Sequence, residues 1–309
     1  MKNVFIVNKA SRTGRAALVW QELEEYLNNN NISYEANFTT GPFDATRFAK
    51  EATSTGEKVA LFVMGGDGTL NEALNGIQDF ENTIYTPLPS GSANDFVYGL
   101  GMEGTAVEIL DRALATDKYK SIDIGKVIYP EGERLFGVSS GIGVDAYVCL
   151  QALTSKLKKF LNKFHLGAAT YGILTVGDIF SMPFSDGKIT THFEGKETKK
   201  NVRRTIFAAA MNCKAEGGGV TMAPKAKPDS GHLTAFCAHD ISRLKCFLLL
   251  PLLVAGKHEG KKGFDLIDFD KIDIELKDKM CVHADGEHVG FYDKISFECL
   301  PKHLKVRGF

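Results

Sequence analysis

Hydrophobic and polar residues follow an alternating strand and helix pattern through the first third of the chain. The run Val59–Met64 is continuously apolar, as in a strand buried on both faces, whereas Ala16–Asn28 has its apolar residues at helical spacing. In chain order the pattern predicts strand Val4–Val7, helix Ala16–Asn28, strand Ile32–Thr40, helix Phe43–Ser54, strand Val59–Met64, helix Leu70–Ile77 and strand Ile84–Leu88. This alternation indicates a doubly wound, parallel α/β sheet.

The pattern changes after about residue 120, where strand-like segments follow one another directly. These segments are Ser121–Tyr129, Arg134–Ser140, Lys188–Phe193, Arg203–Met211, His232–Ala238, Ile272–Lys277, Met280–Ala284 and Lys294–Cys299. One long, mostly helical insert, Thr154–Met182, interrupts them. Short strands separated by Gly and Asp turns predict an antiparallel second domain, a sandwich or a squashed barrel, with the domain boundary near residues 120–125.

The composition is that of an ordinary globular protein, and the length of 309 residues favours two domains. Lys and Arg (37) nearly balance Asp and Glu (38), and the resulting net charge of -1 disfavours a nucleic-acid partner. The N-terminal run Met1–Asn8 has no signal-peptide core and is read as a strand. The six cysteines show no CxxC spacing, so we expect reduced thiols and a cytoplasmic protein.

The most apolar stretch is Cys246–Ala255, which has about half of the ~20 residues that a membrane crossing needs. Two interpretations stay open, a helix buried in the core and a wall that faces lipid. Lysines also cluster at the start of the helical insert, at Lys156, Lys158, Lys159 and Lys163. They could meet anionic lipid headgroups or form a solvated face, so peripheral membrane contact is a hypothesis.

A glycine-rich run, Gly65–Thr69 (GGDGT), lies where a predicted strand gives way to a predicted helix. Glycines let the backbone come close to a ligand, and backbone N–H groups next to a helix N-terminus form a cradle for phosphate oxygens. Asp67 would repel phosphate unless a cation such as Mg²⁺ lies between them. A plain tight turn can have the same sequence, so the run alone does not decide between the two.

Two further motifs accompany this run. The segment Pro89–Asp95 (PSGSAND) follows the next predicted strand, and neighbouring ends of parallel strands meet at one edge of a sheet. We therefore expect both loops beside one crevice. Near the C-terminus, His283–Glu287 (HADGE) repeats the theme of an acid, a glycine and an acid. Taken separately, Asp285–Glu287 is typical of a solvated hairpin turn.

The ordered set of motifs resembles the diacylglycerol kinase catalytic-domain family, the bacterial soluble lipid kinases related to diacylglycerol and sphingosine kinases. The resemblance covers nearly the whole chain. Its carriers are Asn8 with Ser11 and Gly14, Thr40, GGDGTLNE (65–72), PSGSAND (89–95), Asp123, GGG (217–219) with Pro224, and DGE (285–287). It implies a Rossmann-like nucleotide domain at 1–124, a β-sandwich lipid domain at 125–295, and a final strand, 296–309, that returns to the first domain.

The resemblance also implies an ATP-dependent lipid kinase that transfers the γ-phosphate to a lipid hydroxyl, with diacylglycerol as the first candidate. The residues expected around ATP are Asn8, Ser11, Gly14, Thr40, Gly65, Gly66, Asp67, Gly68, Thr69, Glu72, Gly91, Ser92 and Asn94. The ligands expected for Mg²⁺, in part through water, are Asp67, Asp95 and Glu287. Asp285 would be the general base for the acceptor hydroxyl, with Glu287 as its catalytic partner.

Several alternatives stay open at this point. The acceptor could be a sphingoid base, phosphatidylglycerol or, distantly, NAD, and a regulatory nucleotide-binding protein without turnover is a different class. Tyr98 stands where the family usually has Arg, and only Asp229 supplies a carboxylate to a turn that holds a second Mg²⁺ in some members. The eight histidines show no metal-ligand spacing, so zinc is not indicated. A homodimer and a position at the inner face of the membrane are further options.

Overall fold

The computed structural model describes residues 1–154 and 175–309, which form two compact units. Unit 1 contains Met1–Ile124 together with Pro301–Phe309, and unit 2 contains Gly125–Leu300. Residues 155–174 of the predicted helical insert, including its four lysines, lie outside the described residues, whereas residues 175–181 are helical. Within the described ranges, no helix combines the length and the apolarity that crossing a membrane requires.

Unit 1 is built on a parallel sheet whose strands alternate with helices along the chain. The strands are β1 (Lys2–Val7), β2 (Glu35–Phe38), β3 (Val59–Gly65) and β4 (Thr83–Pro89). The helices are α1 (Ala16–Asn29), α2 (Asp44–Thr53), α3 (Asp67–Gly76), α4 (Asp95–Gly99) and α5 (Ala106–Leu114). The strand order is β2-β1-β3-β4 with every pair parallel, so the predicted α/β class is confirmed.

The core of unit 1 explains why its central strand has no polar alternation. Every residue of β3 is buried, as expected for a parallel strand covered on both faces. Phe62 of β3 stacks on Phe5 of β1 with ring centroids 4.6 Å apart, and Trp20 of α1 packs edge-on against Phe5. Because β3 and β4 run parallel with Gly65 opposite Pro89, their glycine motifs leave the sheet at the same edge.

The end of the chain completes this sheet. Strand β14 (Glu287–Val306) finishes in unit 1, where Lys305 pairs with Ile84 and Val306 with Tyr85 in a parallel ladder on β4. The buried carboxylate of Asp123 accepts the backbone N–H of Lys302 at 2.8 Å. This hydrogen bond fixes the register at which the last strand enters the sheet.

Unit 2 is an antiparallel β structure with helices between some of its strands. Its strands are β5 (Lys120–Tyr129), β6 (Gly132–Phe136), β7 (Ser139–Gly143), β8 (Ser185–Phe193), β9 (Lys196–Thr205), β10 (Phe207–Met211), β11 (Leu233–Ala238), β12 (Phe264–Phe269), β13 (Lys271–Ala284) and most of β14. The helices are α6 (Val144–Thr154) and α7 (Arg243–Val254). The pairs run in the order β12-β11-β10-β7-β13-β14; β8 also pairs with β13, and β9 pairs with β8. The predicted sandwich class is confirmed.

Several strand predictions in unit 2 were wrong in their bounds, and predicted Arg203–Met211 is divided at Ile206 between β9 and β10. Arg134–Ser140 is not one strand, because the backbone N–H groups of Gly137 and Val138 donate to a side chain, Asp285, rather than to a neighbouring strand. Conversely, the two segments predicted around residue 278 are one strand, β13, whose register shifts between Glu275 and Met280. The first half of β13 pairs with β8 and its end pairs with β7.

Helix α7 contains most of the apolar stretch Cys246–Ala255. Only Cys246 and Leu253 are buried in this helix, where they pack in a cluster with Phe207 and Phe236. Leu244 and Leu248 are 60% and 63% exposed. The interpretation of this stretch as an entirely buried helix is therefore wrong, because one face of α7 is apolar and open to solvent.

Candidate functional site

The glycine run after β3 forms the start of a helix. Helix α3 begins at Asp67, three residues before the predicted start at Leu70, and Gly66 is its N-cap in an extended conformation. Asp67, Gly68 and Thr69 thus lie in the first turn, where backbone N–H groups have no acceptor within the helix. These N–H groups and the positive end of the helix dipole suit an anion such as phosphate.

The loop after β4 lies directly against this helix start. A Cβ atom on Gly91 would be 2.5 Å from the Cα of Gly66, so the two backbones approach as closely as only glycine allows. The Gly91 N–H donates to Asn94 Oδ1 at 2.8 Å, and Asn94 itself has a φ of 53°. The N–H of Phe96 donates to Asp67 Oδ1 at 3.1 Å. The two motifs therefore form one cluster in unit 1.

Residues after β1 join the same cluster. Asn8 Nδ2 donates to Thr69 Oγ1 at 2.9 Å, while Asn8 Oδ1 accepts the N–H of Ala10 at 3.1 Å. Ser11 Oγ donates to the backbone oxygen of Ser90 and lies 3.1 Å from its hydroxyl. Three neighbouring strand ends, those of β1, β3 and β4, thus supply one connected set of polar groups.

Four other residues predicted around ATP are exposed or make other hydrogen bonds. Thr40 is exposed after β2, and its N–H and hydroxyl both donate to Asp44, which keeps the pKa of Asp44 below its usual range. Glu72 lies on α3 one turn beyond Thr69, and its backbone oxygen accepts the Thr46 hydroxyl. Gly14 and Ser92 are exposed. The nucleotide-binding role of these four residues stays a prediction, as it does for the other residues expected around ATP.

The close approach at Gly91 gives a direct test. Replacing Gly91 by Ala should push the two loops apart and weaken ATP binding by at least about tenfold, because a methyl group cannot occupy the space next to Gly66. Calorimetric titration with MgATP measures the effect. Gly177→Ala is the matched control, since a Cβ there meets nothing within 4 Å. An unchanged Kd of Gly91→Ala for MgATP would show that ATP binding does not depend on the close approach of Gly91 and Gly66.

In unit 2, the motif Asp285–Glu287 begins a two-residue hairpin turn between β13 and β14. Ala284 pairs with Glu287, and the two turn residues have φ values of 49° for Asp285 and 81° for Gly286. Both lie in the left-handed region, as an Asp-Gly type I′ turn requires. The alternative of a hairpin turn was thus right about conformation.

The carboxylate of Asp285 is nevertheless not simply solvated. Its Oδ2 accepts the N–H of Gly137 at 2.7 Å, and its Oδ1 accepts those of Val138 and Ser139 at 2.8 and 3.0 Å. The Asp285 N–H in turn donates to the backbone oxygen of Ser139 at 2.8 Å. These bonds hold the carboxylate in one orientation, which a group that must receive a proton at a defined point requires.

A buried pair of side chains lies behind this turn. His283 is 1% exposed; its Nε2 lies 2.8 Å from Asp145 Oδ2, and its Nδ1 accepts the N–H of Gly286 at 3.0 Å. Burial alone would raise the pKa of Asp145. The electrostatic interaction with His283 and the hydrogen bonds with His283 and Glu216 outweigh burial and keep the pKa of Asp145 below its usual range.

The ligand atoms of Asp145, Cys149 and His283 lie within 4.8 Å of one another, a spacing that would admit a metal ion. The hydrogen bonds of His283 argue against a metal ion at this position. Because Nδ1 of His283 accepts a backbone N–H, its proton must be on Nε2, the atom that would have to bind the metal. We therefore interpret Asp145 and His283 as a hydrogen-bonded pair that lies close to Cys149.

Comparison with known families accounts for both units. Residues 2–127 match the model described as the diacylglycerol kinase catalytic domain, and residues 138–308 match the model described as the YegS C-terminal NAD kinase beta sandwich-like domain. The chain belongs to the diacylglycerol kinase and YegS family. The resemblance predicted from the motifs is therefore confirmed.

Members of this family are similar over most of their length. The chain is 29% identical over 271 residues to the "Probable lipid kinase YegS-like" of Shewanella frigidimarina, covering 85% of this chain and 80% of that protein. It is 23% identical over 269 residues to the diacylglycerol kinase of Bacillus subtilis, covering 87% and 83%. A crystal structure of a diacylglycerol kinase from Bacillus anthracis has 20% identity and a TM-score of 0.71, covering 100% of this chain and 97% of that one, which shows that the fold is shared.

The motifs by which this family was predicted did not include Asp145 or Glu216. Asp145 lies in the first turn of α6, which begins at Val144 directly after the run Gly141–Gly143 that ends β7. A Cβ on Gly141 would press against the Asp145 carboxylate and lie 2.9 Å from Nε2 of His283. Gly141, which lies two residues before the end of β7 and four residues before Asp145, was the only local sequence signal for the Asp145–His283 pair.

Proposed function

We propose that this family member is an ATP-dependent lipid kinase that transfers the γ-phosphate of ATP to the hydroxyl of a lipid. Diacylglycerol, which would give phosphatidic acid, is the acceptor to test first. The observation that carries the proposal is the cluster in unit 1 that joins Gly66, Thr69 and Gly91 at the N-terminus of α3. The backbone N–H groups of this first helical turn suit the phosphates of a nucleotide.

Two carboxylates of unit 1 have the chemistry to hold Mg²⁺ beside those phosphates. Asp67 accepts the N–H of Phe96, the residue directly after Asp95, so the two acids belong to adjacent points of the cluster. Carboxylate oxygens are the ligands that Mg²⁺ prefers, and neighbouring negative charges favour a divalent cation between them. Bound Mg²⁺ would neutralise charge that develops on the transferred phosphoryl group. Glu287 of unit 2 is proposed as a further ligand on the strength of the family resemblance.

Asp285 is proposed as the general base. An alcohol hydroxyl is a weak nucleophile, and a carboxylate within hydrogen-bond reach can take its proton as the oxygen attacks phosphorus. Support comes from the three backbone N–H groups that fix the Asp285 side chain and from its place in the Asp-Gly-Glu motif of the family. Phosphoryl transfer depends mainly on positioning and charge neutralisation, so one base and a metal suffice.

The exposed face of α7 is proposed as the surface that contacts the membrane. Leu244, Phe247, Leu248 and Val254 are exposed along this helix, and Phe180 packs against Phe247 with ring centroids 5.9 Å apart. Helix α7 contains no acidic residue, and Lys245 is exposed beside the apolar face. An apolar face flanked by positive charge suits an interface with anionic lipid.

A charge placed on this face should weaken membrane binding. Leu248→Glu should reduce binding to phosphatidylglycerol-containing vesicles by at least about tenfold, since the variant loses apolar contact and adds repulsion. Sedimentation at low salt measures the effect. Leu18→Glu on α1, where the leucine is 60% exposed, is the matched control and should bind as the unmodified protein does. Equal loss in both variants would assign the effect to net charge alone.

The function itself is tested by ATP consumption with purified protein, Mg²⁺ and a panel of hydroxyl acceptors in mixed micelles. The panel contains diacylglycerol, a sphingoid base and phosphatidylglycerol, with NAD as a water-soluble acceptor. We expect turnover that depends on a lipid, highest with diacylglycerol. ATP binding without turnover on any lipid would contradict the proposal and favour a regulatory nucleotide-binding protein.

A further inference from the structure

The hydrogen bonds of His283 assign one protonation form to its ring. A backbone N–H can only donate, so Nδ1 of His283, which lies 3.0 Å from the Gly286 N–H, must be an acceptor without a proton. Nε2 then carries the proton and donates it to Asp145 Oδ2 at 2.8 Å. The hydrogen bond to Asp145 thus favours the tautomer in which Nδ1 of His283 can accept the Gly286 N–H.

The pair is connected to the rest of the turn through Ser139 and Glu216. The Ser139 hydroxyl donates to the Glu216 side chain, and Glu216 also bonds to Asp145, which requires that one of these two carboxyl groups carry a proton. The backbone N–H of Ser139 donates to Asp285 Oδ1, and its backbone oxygen accepts the Asp285 N–H. A closed path of hydrogen bonds therefore starts and ends at the turn that carries Asp285.

The backbone of His283 is held as firmly as its ring. Its carbonyl oxygen accepts the Ser140 hydroxyl at 2.5 Å, and the residue lies between β7 and β14 in the antiparallel ladder. Gly141 leaves the space that the Asp145–His283 pair occupies. The ring cannot rotate without breaking both of its hydrogen bonds, and each broken bond would leave a buried polar group unsatisfied.

We propose that His283, oriented by Asp145, is a positioning residue that holds the Asp285–Gly286 turn in the geometry needed for phosphoryl transfer. His283 is buried and its ring is engaged on both nitrogens, so it acts through the turn rather than on a reactant. The inference rests on the proposed kinase function and deepens it. When a general base is displaced by about 1 Å, the rate of the catalysed reaction can fall on the order of 100-fold.

Two amide substitutions of His283 test its two hydrogen bonds separately, because each variant keeps one bond and loses the other. In His283→Asn the side-chain oxygen lies near the position of Nδ1 and can still accept the Gly286 N–H, but it cannot reach Asp145. In His283→Gln the longer side chain can reach Asp145 but leaves Gly286 without its acceptor. We expect kcat of the Asn variant within about threefold of the unmodified protein, and kcat of the Gln variant lower by about 10- to 100-fold, with KM for ATP unchanged in both.

Stability should follow the opposite order, which separates positioning from folding. The Asn variant leaves the buried Asp145 without its donor and should unfold at the lower temperature, whereas the Gln variant keeps that donor. Equal kcat in the two variants, or a slower Asn variant, would overturn the proposal. So would a KM for ATP that changes together with kcat.

A second measurement does not depend on activity. Nitrogen NMR of isotope-labelled histidine, with the His283 signals assigned by comparison with His283→Asn, should show an acceptor-type Nδ1 and a protonated Nε2. The reverse tautomer would overturn the proposal even in an active enzyme. Should the protein turn over no lipid while this tautomer is found, the kinase function would fall and the structural assignment of His283 would stand.

Discussion

Asp285→Asn should lower kcat by at least about 100-fold while MgATP still binds, because the amide cannot accept the proton of the acceptor hydroxyl. The structure adds a second expectation. One side-chain oxygen becomes an NH₂ group, which then faces a backbone N–H from the segment Gly137–Ser139. The free energy of unfolding should therefore fall by about 1–3 kcal/mol. Activity must be compared at a temperature where both proteins are folded.

Asp270→Asn is a suitable control for this experiment. Asp270 is also in unit 2, is exposed, and its Oδ2 accepts the backbone N–H of Glu194 at 2.9 Å. The control should lose some stability and no activity. A near-normal kcat for Asp285→Asn would remove Asp285 from the mechanism and leave it as a residue that only holds the turn.

Asp67→Asn should weaken Mg²⁺-dependent ATP binding by at least about tenfold, while the protein stays about as stable as before. The asparagine oxygen can still accept the N–H of Phe96, which Asp67 Oδ1 accepts at 3.1 Å, so the variant removes charge and little else. Asp67→Ala removes both and should also destabilise the protein by about 1 kcal/mol. Calorimetric titration with ATP, with and without Mg²⁺, separates these effects.

The matched control for Asp67→Asn is Glu108→Gln. Glu108 also lies in the first turn of a helix of unit 1, and its Oε2 accepts the N–H of Thr105 at 2.7 Å. This control should bind MgATP as the unmodified protein does. If ATP binding to the Asp67→Asn variant depended on Mg²⁺ as strongly as in the unmodified protein, the cation would be held elsewhere.

The parts of the fold that could be predicted from the sequence are those whose signals are local. The apolar run of β3 and the glycines that follow it lie within a dozen residues, so strand, turn and helix could be placed together. The start of α3 was placed too late because its first turn is polar, and the N-cap is a glycine rather than Ser or Asp. In β13, exposed Lys277–Lys279 interrupt the alternation, although pairing continues beyond them.

The candidate site was predictable only where motifs mark it. Gly91 and Asp285 stand in recognisable runs, whereas the hydrogen bond between His283 and Asp145 joins residues 138 apart in the chain. No periodicity connects such positions. The exposed face of α7 could not be predicted from the sequence either. Exposed Leu248 and buried Leu253 belong to the same apolar stretch, and only tertiary packing decides which of them is covered.

The sheet of unit 1 has a consequence for synthesis on the ribosome. Its last parallel strand comes from the end of β14, and Lys302 bonds to Asp123, which precedes it by 179 residues. The ribosome adds roughly 5–20 residues each second, so Asp123 has left the tunnel many seconds before its partner is made. Until then Ile84 and Tyr85 present an open edge of β4. Unit 1 contains the first strands to be made, but its sheet is completed only when the end of β14 arrives, and during that interval the unpaired edge of β4 is open to wrong strand pairing.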